Sequence, residues 1–70
     1  MEMISVSSSN LSAIGYDYDT STLRIEFIKG GAYMYQGVPA DVYEGLLAAG
    51  SKGQYFDQFI KKGGYPYSKD

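Results

Sequence analysis

The chain contains neither cysteine nor histidine. The first absence rules out a disulfide framework and a thiolate metal centre. The second removes the imidazole ligand and the side chain whose ordinary pKa lies nearest neutrality. Most metal and acid–base chemistry goes with them, so no catalytic residue, metal site or cofactor is expected and the protein reads as a non-enzyme. Basic charge is scarce as well: six Lys and Arg stand against eight Asp and Glu, a net charge of -2. Proteins that follow long nucleic acids neutralise many phosphates, so long duplex DNA is not an expected partner. No stretch approaches the roughly 20 apolar residues that span a bilayer, and no basic segment followed by a long apolar run opens the chain. These features predict a soluble, cytoplasmic protein without a membrane partner.

What the chain does have is tyrosine, eight in 70 residues. A chain of this length makes one domain, residues 1–70, and buries only about 60% of its unfolded surface, which favours a homo-oligomer. The most informative stretch runs from Asp19 to Val38. Leu23, Ile25 and Phe27 alternate with Arg24 and Glu26, the period of a half-buried strand. Lys29-Gly30 reads as a two-residue loop pairing Ile28 with Gly31. That register sets Phe27 opposite Ala32 and Ile25 opposite Met34, and turns Tyr33 and Tyr35 outward beside Glu26 and Arg24.

Upstream, Ile14, Tyr16 and Tyr18 share one face of a strand over 12–18. With Thr20-Ser21 as the loop, Tyr18 meets Leu23, Tyr16 meets Ile25, Ile14 meets Phe27, and Asp17 faces Arg24 as a cross-strand ion pair. Residues 3–6 alternate weakly and can add a short edge strand. Downstream, Pro39 suits the first turn of a helix whose stripe is Val42, Leu46 and Leu47, and Gly50 ends it. Ser51 with Gln54 fits a capping box, Tyr55, Phe56, Phe59 and Ile60 form an apolar face, and Lys61-Lys62-Gly63 is a helix stop. The tail Gly64-Tyr65-Pro66-Tyr67-Ser68 is extended and aromatic and is expected to pack back on the domain. The predicted fold is α+β: a three-stranded antiparallel meander with two short helices on one face and the other face open.

Val6-Ser7-Ser8, Tyr16-Asp17, the Leu23/Ile25/Phe27 alternation, Gly31-Ala32-Tyr33-Met34-Tyr35, Val38-Pro39, Ser51-Lys52-Gly53-Gln54-Tyr55-Phe56 and Tyr65-Pro66-Tyr67 together resemble the KTSC domain over nearly the whole chain. That module occurs alone in bacterial and phage proteins and at the C-terminus of some lysyl-tRNA synthetases. The resemblance implies no established activity, only an association with RNA.

Two groups of residues are candidates for ligand chemistry. At Ser51-Lys52-Gly53 the first amides of a helix and a lysine could receive an anion. Tyr33 and Tyr35 with Arg24 could stack a base and hold a phosphate. Tyr65 and Tyr67 add rings, and Lys61 and Lys62 add charge in a C-terminal third that carries four lysines against Asp57 and Asp70. Asp17 and Asp19 beside a turn read as ordinary turn chemistry. The leading expectation is non-enzymatic binding of a nucleotide-containing ligand, either a small, even cyclic, nucleotide sequestered as a phage counter-defence protein would, or short single-stranded RNA. The alternative is a protein-interaction or homo-oligomerisation module using an open face bearing Tyr33 and Tyr35; a metal-dependent hydrolase is the third and weakest class.

Overall fold

A computed structural model describes all 70 residues. Five antiparallel strands lie in chain order: β1 (Met3–Ser5), β2 (Leu11–Asp17), β3 (Thr22–Phe27), β4 (Gly31–Tyr35) and β5 (Tyr67–Lys69). Between β4 and β5 the chain forms α1 (Ala40–Ala48) and α2 (Lys52–Tyr55), the latter continuing as a π-helical turn over Phe56–Ile60 and a 3-10 turn over Lys61–Gly63. The fold is α+β, as the sequence predicts. The sheet is larger than a three-stranded meander: residues 3–5 are the N-terminal edge, and the aromatic tail is the other edge. Tail residues pair Tyr35 with Tyr67 and Tyr33 with Lys69, and flanking backbone bonds from Gln36 to the Pro66 carbonyl and from Asp70 to the Ala32 carbonyl extend the seam.

Both central hairpins differ in register from the expectation. β2 and β3 pair Tyr16 with Leu23 and Ile14 with Ile25, so four residues rather than two make the turn. The Asp17 carboxylate explains the longer turn by accepting the Asp19 amide at 2.9 Å, a side-chain mimic of a backbone turn. The shift is two residues, and Ile14, Tyr16, Leu23 and Ile25 all stay on the buried face. Tyr18 leaves the strand and is 61% exposed, its ring edge-on to Tyr16. Asp17 now stands opposite Thr22, not Arg24. At the start of β2 a bulge between Leu11 and Ala13 brings Leu11 onto the core face beside Phe27.

In the second hairpin Phe27 pairs with Gly31, Ile25 with Tyr33 and Leu23 with Tyr35. The loop holds three residues, and Gly31 enters β4 at φ +76°, a conformation open to glycine without steric cost. This one-residue change reverses the predicted faces. Tyr33 and Tyr35 point to the side of Ile25 and Leu23, while Met34 takes the outer face beside Arg24.

The core joins that inner face to the helices. Leu11, Ile14, Leu23, Ile25, Val38, Leu46 and Ile60 are fully buried, with Tyr16, Tyr35, Tyr43 and Phe56 around them. From α1 the inward residues are Tyr43 and Leu46; Val42 and Leu47 flank them. Tyr43 stacks on Tyr16 at 4.7 Å, and the Tyr16 hydroxyl donates to the Val38 carbonyl, tying the sheet to the segment that leads into α1. In the second helix Phe56 and Ile60 are buried, Tyr55 packs on Gly45 of α1, and Phe59 is 52% exposed, so the predicted four-residue face is narrower. The left-handed C-terminal residue is Gly64 rather than Gly63.

Candidate functional site

On the inner side of the sheet the helices stop short of the β3–β4 turn and leave a cleft of about 930 Å³. Pockets for small ligands commonly span about 300–1,000 Å³. Five aromatic rings surround it in a closed circuit: Phe27 to Tyr33 at 5.8 Å, Tyr33 to Tyr67 at 6.0 Å, Tyr67 to Tyr35 at 5.4 Å, Tyr35 to Phe56 at 5.5 Å and Phe56 back to Phe27 at 5.4 Å. Each ring arrives by a separate structural decision. The three-residue loop turns Tyr33 and Tyr35 inward, the fifth strand brings Tyr67 beside them, and the second helix supplies Phe56. Tyr35 and Phe56 are buried, whereas Tyr67 is 64% exposed and offers a ring face at the mouth. Burial raises the Tyr35 phenol above its ordinary pKa, and the nearby Tyr67 and Tyr33 phenols add to the shift.

Polar groups enter the cleft from three sides. Lys29 comes from the β3–β4 turn, Lys61 and Asp57 from the second helix, and Asn10 from the loop before β2. That loop is held by the Ser8 hydroxyl, which accepts the Asn10 and Leu11 amides at 3.3 Å each. It presses against the second helix at Gly53, where a β-carbon would lie 3.3 Å from the Asn10 amide nitrogen, tighter than ordinary contact. The π-helical turn shapes the charge pattern. In an α-helix Asp57 would face the residue four positions on, Lys61. Here the Lys61 amide is shared between the Asp57 and Phe56 carbonyls, and the ion pair of Asp57 is with Lys62, five positions on, at 3.5 Å. Lys61 and Lys29, which both line the cleft, have no carboxylate partner.

Of the candidates from sequence, Tyr33, Tyr35, Gly53, Lys61 and Tyr67 converge here. The others lie elsewhere. Arg24 is on the opposite face of the sheet, bound to Glu26 and, at 2.6 Å, to Asp70; hydrogen bonds to these carboxylates raise its pKa. Ser51 occupies the cap position of α2 but makes no side-chain capping bond, and Lys52 folds back to donate to the Ala49 carbonyl at 3.1 Å. The capping box predicted for Ser51 and Gln54 is therefore not formed. Lys62 pairs with Asp57, and Tyr65 is half-buried over Gly63. Phe27, Lys29, Asn10, Phe56 and Asp57 also line the cleft without having been singled out as site residues. Only Phe27 and Phe56 carried a signal, as members of apolar faces. Nowhere do three carboxylates gather in a way that could hold a metal ion, and no helix is long and apolar enough to cross a membrane.

The geometry has close counterparts. A KTSC domain protein from Yersinia pestis superposes with a TM-score of 0.94 at 40% identity, covering 99% of this chain and 96% of that one. An uncharacterised protein of Stutzerimonas stutzeri is 39% identical over 67 residues, which are 96% of this chain and 94% of the relative. A lysine–tRNA ligase of Nostoc sp. is 49% identical over 53 residues, and there the match covers 76% of this chain but only 9% of the ligase. The KTSC domain family itself matches residues 7–65, which span the cleft rings as far as Phe56 together with both helices, and the chain belongs to that family.

Proposed function

We propose that this KTSC domain is a non-enzymatic binding module for a compact nucleotide-containing ligand, and that the ligand enters the aromatic cleft. The observation that carries the reading is the coincidence of a ring-lined cleft with two unpaired lysines, Lys29 and Lys61, on a protein whose net charge is -2. A nucleobase stacks on tyrosine whatever its sequence, at about 1–3 kcal/mol per base, and a lysine ammonium supplies the charge for a phosphate. Tyr67, exposed at the mouth, is the stacking platform; Lys29 and Lys61 hold the phosphate. The cleft accepts one nucleotide or a short single-stranded end more readily than a polymer, because only Lys29 and Lys61 line it and the chain as a whole is acidic. Affinity without turnover would serve sequestration of a small or cyclic nucleotide, or docking of a short RNA segment beside a larger enzyme.

The test is an amide-correlation NMR titration with mono-, di- and cyclic nucleotides and short single-stranded RNAs. Saturable shifts at Lys29, Tyr33, Gly53, Lys61 and Tyr67 that weaken with added salt are expected. Absence of shifts at millimolar ligand sinks the reading and turns attention to the alternative of a protein-interaction or homo-oligomerisation module, the latter tested by sedimentation.

A further inference from the structure

Asp57 is the one carboxylate that lines the cleft. A carboxylate accepts hydrogen bonds and donates none, through two adjacent oxygens. Its lysine partner, Lys62, stands 3.5 Å from one of those oxygens and is not part of the cleft lining, so of this pair only the carboxylate belongs to the cleft. Among the common bases only guanine offers two neighbouring donors on its Watson–Crick edge, N1–H and the N2 amino group. Adenine and cytosine each place a ring-nitrogen acceptor next to their amino donor, and uracil flanks its single N3–H with two carbonyls. Against a carboxylate those acceptors are repelled and lose water without replacement. We propose that the cleft selects guanine nucleotides, with Asp57 receiving the N1–H and N2–H of a base stacked among the tyrosines. This rests on the nucleotide-binding reading above and assigns the ligand class for that site.

Asp57 is partly solvated, its side chain 46% exposed, so the preference sits at the low end of the about 1–3 kcal/mol that a bidentate base contact contributes to discrimination. That corresponds to GMP binding about fivefold to tenfold more tightly than AMP. Asp57→Asn replaces one acceptor with a donor. The new pattern fits xanthine, whose N1–H adjoins the C2 carbonyl, and no longer fits guanine.

The experiment is calorimetric titration of the wild-type chain and Asp57→Asn with GMP, AMP and XMP, folding being checked by circular dichroism. Tighter GMP binding by wild type, together with a switch to XMP in the variant, is the expected result. A merely structural role for Asp57 would weaken all three ligands alike. Equal GMP and AMP affinity in the wild type overturns the guanine assignment while leaving a nucleotide cleft in place, and this comparison does not depend on the variant folding. No binding of any of the three at millimolar concentration overturns the guanine assignment, and the titration with cyclic nucleotides and short RNAs then decides the binding reading separately.

Discussion

The two hairpins that share β3 differ from their simplest sequence reading by different amounts, and the consequences are opposite. β2–β3 is displaced by two residues and β3–β4 by one. Side chains alternate across a sheet with period two, so an even displacement moves a residue along its face and an odd one moves it through the sheet. Ile14 and Tyr16 therefore remain in the core despite new partners, whereas Tyr33 and Tyr35 pass from a solvent face to the lining of the cleft. The functional geometry depends on the parity of one loop, set by whether Ile28 pairs or turns.

Substituting Tyr35 breaks this comparison most forcefully. In the observed register it is 6% exposed between Phe56 and Tyr67. Tyr35→Ala should cost about 3 kcal/mol or more in denaturant unfolding, as large aromatic truncations in cores do. A loss below about 0.5 kcal/mol, typical of surface sites, would restore the outward reading.

Next comes the loop itself. Gly31→Ala places a β-carbon at φ +76° and should cost about 1–2 kcal/mol; in a two-residue loop, with Gly31 in ordinary extended backbone, the change would be nearly neutral. The first hairpin is sharpened by a pair of surface variants. Arg24→Ala removes contacts to Glu26 and Asp70 and should lower stability only slightly, less in high salt. By contrast, removing the proposed Asp17–Arg24 attraction has no counterpart here, and a double-mutant cycle of Asp17→Ala with Arg24→Ala should show no coupling.

The smallest effect at neutral pH is an alkaline one. Burial, then Tyr67 and Tyr33, raise the Tyr35 phenol above 10.0 in the folded chain. Its contribution to stability is complete below the unfolded pKa, where both states hold the proton. Above it the unfolded chain ionises first, and stability falls as pH rises through the folded value. Unfolding midpoints measured from about pH 9 upward should decline, and Tyr35→Phe should flatten part of that slope; Tyr43 and Tyr18, whose phenols are also raised by burial, contribute to the rest. An exposed Tyr35 would leave the slope unchanged.

Much of the cleft was legible as a list of residues but not as a place. Tyr33, Tyr35, Lys61 and Tyr67 stood out because rings and ammonium groups are unusual on a small acidic domain. Arg24 stood out for the same reason and stays on the outer face where its alternation with Leu23 and Ile25 placed it, while the one-residue register change moved the tyrosines away from it. Asp57 and Lys29 gave no local signal. Asp57 lies on a π-helical turn and pairs with Lys62 while Lys61 has no carboxylate partner, an arrangement that α-helical spacing does not predict.

The sequence by itself determined the α+β class, the inward placing of Ile14, Tyr16, Leu23 and Ile25, and the two helices after Pro39, because period-two and helical apolar spacing act over a few neighbouring residues. Tertiary structure decided three things: the length of each turn, the conversion of the aromatic tail into the fifth strand, and the meeting of five rings in one cleft. Each of these compares contacts between residues far apart in the chain, such as Tyr35 with Tyr67. Local spacing has no access to that balance of burial against backbone conformation.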